Sequence, residues 1–121
     1  MGRPVMMTDK RVNKAIKLMT TDLKRPLTLS ETARRVSLSV SHLSYLFRSE
    51  IGQSPARFVM TARMNRAAEL LLNSNFSVKE IMDAVGFADK SDFNRTFKRF
   101  FGRSPTAYRE QSLTELNRKN D

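Results

Sequence analysis

Cysteine and tryptophan do not occur in this sequence, and histidine occurs once, as His42. Without cysteine there is no disulfide and no thiolate metal site, a composition suited to a reducing compartment. A lone histidine excludes a histidine cluster, and His42 reads as a solvated surface side chain rather than a base. No apolar run approaches the roughly 18 residues of a membrane-spanning helix. No secretory apolar region stands at the start. Gly2 does not begin a myristoylation motif, because Met6 occupies the place of the required Ser or Thr. There is no phosphate loop and no Gly-rich dinucleotide turn, and carboxylate pairs such as Glu31 with Asp83 lack any supporting motif, so an enzyme is not expected. No cofactor, metal or small-molecule effector is expected to bind within the chain.

Acidic residues are also few. Twelve Asp and Glu against 22 Lys and Arg leave a formal charge of +10 on 121 residues. So large an excess on a short chain points to a polyanionic partner, most commonly nucleic acid. A membrane-surface helix would gather its cations on one face with Trp or Leu opposite. Here they are spread over several segments, and a membrane is not the expected partner. The hydrophobic content of 40% is enough for one domain, or for two very small ones sharing a helix.

That shared helix is SPARFVMTARMNRAAELLLN, from Ser54 to Asn73. Ser54 suits an N-cap and Pro55 the first helical position, where a missing N–H costs nothing. Helical periodicity spreads Val59, Met60, Met64, Ala67, Ala68, Leu70 and Leu71 over about half the circumference. So wide an arc suggests a helix wedged between two packed units. The flanking text repeats itself. LTLSETARRVSLSVSHLSYLFRSEIGQSPARF aligns with FSVKEIMDAVGFADKSDFNRTFKRFFGRSPTAY, pairing Leu27 with Phe76, Leu29 with Val78, Val36 with Val85 and Leu38 with Phe87. The register slips by one residue near Ala88. Ser41 then matches Ser91, Leu43 matches Phe93, Phe47 matches Phe97, Ile51 matches Phe101, and Gly52 through Pro55 match Gly102 through Pro105. A repeat of this length is one supersecondary unit, and a single duplication excludes an extended solenoid.

Along the chain, Met1 to Thr8 has no period and is expected to be a disordered lead. Asp9 can cap a first helix over about 10–23, with Val12, Ile16, Met19 and Leu23 as its stripe and Pro26 as its stop. Ser30 is expected to open a short second helix, with Ala33 and Val36 facing inward. After the turn Ser37-Leu38-Ser39, Ser39 caps a third helix over about 40–50, burying Leu43, Leu46, Phe47 and Ile51 and ending at Gly52. Beyond Asn73-Ser74-Asn75 the plan repeats. Ser77 with Glu80 forms a capping box for a helix over about 78–85, Gly86 makes the turn, and a helix over about 90–101 buries Phe93, Phe97 and Phe101. Ser104-Pro105 starts a seventh helix, and Asn117 to Asp121 reads as a flexible tail. No stretch alternates as a strand, so the fold is expected to be all-α. The divisions are a first subdomain over 9–53, a linker helix over 54–73 and a second subdomain over 74–116.

Two short helices joined by a tight turn, the second carrying an i, i+3, i+4, i+8 apolar stripe, form the pattern of a helix-turn-helix. In the DNA-binding version the second helix enters the major groove, and the N-terminal half of that helix reads base edges. The positions opposite the stripe are Ser41, His42, Ser44, Tyr45 and Arg48 in one unit and Lys90, Ser91, Asn94, Arg95 and Lys98 in the other. Ser41, Ser44, Tyr45, Arg48, Lys90, Ser91, Asn94 and Arg95 are the candidate base readers, Asn94 suiting adenine and Arg95 guanine. Arg34, Arg35, Arg57, Lys98, Arg99 and Arg103 are candidates for phosphate contacts, which position without reading. A helix of about 20 residues is about 30 Å long, close to the ~34 Å repeat of the major groove. A monomer is therefore expected to place its two recognition helices in adjacent grooves of double-stranded DNA.

The segment Asp83 to Arg109, DAVGFADKSDFNRTFKRFFGRSPTAYR, resembles the signature of the AraC/XylS family of bacterial transcription regulators. Val85-Gly86-Phe87, Phe93, Arg95, Phe97-Lys98, Phe101-Gly102, Ser104-Pro105 and Tyr108-Arg109 stand where that pattern puts them. Ala33, Val36, Leu38, Ser41, Leu43, Leu46-Phe47 and Gly52 resemble the family's first helix-turn-helix. The resemblance implies two such subdomains joined by one long helix, sequence-specific binding at promoters, and contact with RNA polymerase, usually in activation. There are two departures: Ser37 replaces the glycine usual in the first turn, and the first recognition helix has no strong Arg or Gln reader. The family's N-terminal effector-binding domain is missing, so the chain is expected to be either a stand-alone member or the DNA-binding part of a longer regulator. Two other readings remain open. One is a nonspecific nucleoid-type protein. The other is an interaction module using Phe100, which corresponds to Glu50 and need not be in the core, although it is expected rather to pack under the last helix.

Overall fold

The computed structural model describes residues 9–120, so the expected lead over 1–8 and the final Asp121 lie outside the described residues. Seven helices follow one another: α1 (Lys10–Thr20), α2 (Leu29–Arg35), α3 (Val40–Ile51), α4 (Pro55–Asn73), α5 (Val78–Ala84), α6 (Lys90–Phe101) and α7 (Pro105–Asn120). No strand occurs among the described residues, in agreement with the all-α expectation. The chain falls into two compact units that divide inside α4, between Ala62 and Arg63.

Local chemistry accounts for most helix ends. Asp9 caps α1, its carboxylate accepting from the Arg11 N–H at 2.7 Å. α1 stops at Thr20 rather than near Leu23. The Thr20 hydroxyl bonds back to the Ile16 carbonyl at 2.7 Å, and Asp22 then accepts from the N–H groups of Lys24 and Arg25, turning the chain away. The cap of α2 is Thr28, not Ser30, with Thr28 Oγ1 accepting from the Glu31 N–H at 3.1 Å. Ser39 and Ser77 cap α3 and α5 as expected, and Ser77 with Glu80 closes a capping box. α7 continues through residues 117–120, where the polar sequence leads one to expect a tail. Thr114 Oγ1 on the Glu110 carbonyl (3.0 Å) and Gln111 on Glu115 (3.3 Å) bridge successive turns of this helix.

In the first unit Val12, Ala15, Met19, Ala33, Val36, Leu43 and Phe47 form the core, with Phe58 and Val59 of α4 packed against it. Phe47 and Phe58 meet edge to face at 5.3 Å. The second unit is built on aromatic rings. Phe87 contacts Phe93 at 5.4 Å, Phe93 contacts Phe97 at 6.1 Å, and Tyr108 of α7 closes on Phe97 at 5.3 Å and on Phe101 at 5.4 Å. Such pairs add to the area they bury. Leu46, Ile51 and Phe101 are half-buried rather than fully inside. Phe100 is also half-buried, with its ring 6.4 Å from that of Phe101.

Candidate nucleic-acid interface

Each unit carries the same turn between its short helix and the longer one that follows. In the first, the Leu38 N–H donates to the Ala33 carbonyl at 2.9 Å and the Ser37 N–H to the Arg34 carbonyl at 3.1 Å. In the second, Phe87 donates to Met82 at 3.0 Å and Gly86 to Asp83 at 3.1 Å. This pair of bonds ends a helix through one left-handed residue. That residue is Gly86 at φ 86° in the second unit and Ser37 at φ 59° in the first, where Ser37 is the one non-glycine with positive φ among the described residues. The apolar residue just beyond each turn, Leu38 or Phe87, packs inward. The second turn is one residue longer. Ser39 caps α3 three residues after Val36, whereas Asp89 caps α6 four residues after Val85. The register slip near Ala88 is this extra residue.

After the caps the two recognition helices coincide residue for residue in burial. Leu43 and Phe47 in α3, and Phe93 and Phe97 in α6, are fully buried. At 100° per residue, Tyr45 and Arg95 point away from those stripes. Tyr45 is 70% exposed and the Arg95 side chain 72%. Ser41, His42 and Arg48 in α3 and Lys90, Ser91 and Lys98 in α6 are exposed beside them. Ser44 and Asn94 are half-buried, which corrects the expectation that they stand fully exposed. Each follows a buried residue directly and so lies on the flank of the helix. The structure thus gathers Ser41, Tyr45 and Arg48 on one open face and Lys90, Ser91 and Arg95 on another, with Ser44 and Asn94 at their edges.

The phosphate candidates divide by their surroundings. Arg35, Arg57, Lys98 and Arg99 are exposed, and Arg103 is half-buried after Gly102. Arg34 is exposed but paired, its Nη2 lying 2.6 Å from both carboxylate oxygens of Glu31. An exposed pair of this kind holds by only about 0–1 kcal/mol, so it can exchange Glu31 for a phosphate. Carboxylates are sparse on the two recognition helices. α3 has only Glu50, whose oxygens accept from the Asp9 N–H at 3.0 and 3.3 Å, and α6 has only Asp92.

Charged groups away from the two faces stabilise the scaffold. Hydrogen bonds from the Arg11 side chain and backbone bring the Asp9 carboxyl down to about 2. Hydrogen bonds from Ser77 lower that of Glu80. Burial lowers the Arg63 pKa, and its guanidinium lies 5.9 Å from the centre of the Phe87 ring. Arg109 is the main residue that spacing alone did not assign. Its Nε donates to the Leu71 carbonyl at 2.9 Å and its Nη2 to the Ser74 carbonyl at 3.4 Å, so it caps the C-terminus of α4 from α7. A cation there meets the negative end of the helix dipole. A groove of about 410 Å³, lined by Leu71 to Asn75, Arg109 and Leu113, runs beside this cap. Among the described residues no helix is long and apolar enough to cross a membrane.

A family model described as a helix-turn-helix domain matches residues 32–111. The Msm operon regulatory protein of Streptococcus mutans is 33% identical over 104 residues, covering 86% of this chain and 37% of the relative. The chain spans between 27% and 38% of the length of curated relatives of this kind. Among solved structures, the C-terminal domain of AraT, a response regulator from Geobacillus stearothermophilus, superposes with a TM-score of 0.80 at 30% identity, covering 87% of this chain and 88% of that one. The DNA-binding domain of AdpA, solved in complex with a target DNA, gives 0.80 at 27% identity, covering 87% and 95%.

Proposed function

The chain belongs to the AraC-type helix-turn-helix family of transcription regulators, and from that premise we propose that it binds a specific double-stranded DNA sequence as a monomer and regulates transcription there, as an activator. The observation that carries this reading is the turn and recognition helix built twice, each with one buried stripe and one open, mainly basic or hydroxylated face. In this reading α3, of a subdomain over 9–53, and α6, of a subdomain over 74–116, enter adjacent major grooves, the helix over 54–73 being the linker. Ser41, Ser44, Tyr45 and Arg48 read one groove, and Lys90, Ser91, Asn94 and Arg95 the other. Arg95 carries the guanine contact and Asn94 the adenine contact, each worth about 1–3 kcal/mol of discrimination. Arg34, Arg35, Arg57, Lys98, Arg99 and Arg103 hold phosphates and set the register. RNA polymerase is the protein partner, and the bacterial cytoplasm, at the nucleoid, is the compartment. Kinship with named regulators favours this reading over a nonspecific coating protein.

Selection of bound sequences from a random duplex pool at near-physiological salt tests the proposal. Two short enriched blocks about one helical turn apart are expected. A single block would mean that one unit reads bases while the other only holds the backbone. No enrichment would overturn sequence-specific recognition by this chain.

A further inference from the structure

Asp92 is the one acid on α6, and it lies in the first turn of the helix assigned to a major groove. A carboxylate there is repelled by the phosphates that the rest of the face attracts. Its helical position explains part of its presence, since a negative charge near the third residue favours the positive end of the dipole. Its neighbour explains more. Asp92 Oδ1 lies 3.6 Å from Arg95 Nη2, with the side chains 56% and 72% exposed. In the first unit the matching positions are His42 and Tyr45, so the acid occurs where the arginine occurs and is replaced where it is replaced. Arg95 projects opposite the buried Phe93 and Phe97, where packing does not restrict its long side chain.

We propose that Asp92 is a positioning residue that holds the Arg95 guanidinium for guanine, making it a determinant of sequence specificity. This rests on the reading of Arg95 as a base contact. A guanidinium has five N–H donors on a planar fork, so one edge serves the carboxylate while the other meets guanine O6 and N7. Without the carboxylate the side chain swings to the nearest phosphate, which exchanges a contact that reads sequence for one that does not.

The test uses the full chain as wild type, Asp92→Asn, Arg95→Ala and the double variant. Each is titrated against the selected duplex and against a duplex in which the Arg95-dependent guanine is replaced. That guanine is the position where Arg95→Ala loses its preference. Asp92→Asn is expected to lower the ratio of the two affinities by about two- to fivefold, the range of an exposed charge pair. It is expected to have no effect on the ratio in the Arg95→Ala background. A ratio unchanged by Asp92→Asn, with or without a loss of thermal stability, would reduce Asp92 to a helix-end charge and overturn the proposal. An equal loss in both backgrounds would overturn positioning and make Asp92 an independent contact. If Arg95→Ala leaves every preference intact, the reading of Arg95 fails and this proposal fails with it. A wild type with no sequence preference would instead refute the parent proposal, so the two failures are distinguishable.

Discussion

Replacing Ser37 with glycine is expected to stabilise the first unit. Ser37 sits at φ 59° at the end of α2, the position that Gly86 occupies at φ 86° in the second unit. An L-residue held in the left-handed region costs about 1–2 kcal/mol. Glycine removes that strain but loses about 0.5–1 kcal/mol more chain entropy on folding. The difference is a net gain centred on about 0.5–1 kcal/mol. Little offsets it, because the Ser37 side chain is exposed and the turn is held by main-chain bonds that glycine keeps. At about 2 cal/mol/K per residue the whole chain would melt about 2–4 °C higher, and about twice that if the first unit melts alone. Urea unfolding followed by circular dichroism is the assay, with an unchanged slope showing that the compactness of neither state has moved. Gly86→Ser is the internal control and should cost about as much as Ser37→Gly gains. If Ser37→Gly is neutral or destabilising while Gly86→Ser is costly, then the Ser37 side chain contributes to the turn and the strain argument fails for the first unit.

Arg109→Met keeps the length of the side chain but removes the cap on Leu71 and Ser74; it should cost about 1–2 kcal/mol in urea unfolding, and a loss below about 0.3 kcal/mol would show that water replaces the guanidinium. Lys98→Ala should weaken binding to all duplexes alike and flatten the salt dependence by about one unit, so an unchanged slope would remove Lys98 from the phosphate contacts. The Asp9 carboxyl titrates at about 2 in the fold against 3.8 normally, so its contribution is fully present above about pH 4 and is lost as pH falls toward 2. Asp9→Asn should keep the cap at pH 7 and shrink the stability lost between pH 4 and 2. An unaltered acid limb would place that loss on other carboxylates.

What spacing revealed was local. Ser39, Ser77 and Glu80 bond within three residues, and the stripes of Leu43 with Phe47 and Phe93 with Phe97 lie one turn apart. Where local signals compete, reading by residue type misplaces an end. Thr28-Leu29-Ser30-Glu31 is itself a capping-box pattern, and Thr28 rather than Ser30 takes the cap. The candidate readers were legible as a helix face, but the half-burial of Ser44 and Asn94 was not, because the width of a buried stripe depends on the neighbouring elements as well as on its own helix.

Periodicity, capping chemistry and the internal repeat, all carried by interactions a few residues long, determined the all-α architecture, the two helix-turn-helix units and the residues opposite each buried stripe. Tertiary structure decided what depends on distant parts of the chain meeting. Glu50 accepts from the Asp9 N–H across 41 residues, and Arg109 reaches the Leu71 carbonyl across 38. Neither pairing has a spacing rule, because folding rather than helical pitch brings those groups within hydrogen-bond reach. The left-handed turn at Ser37 belongs to the same class. Serine has no preference for that conformation, and the main-chain bonds of the turn together with the packing of Leu38 against the core hold it there.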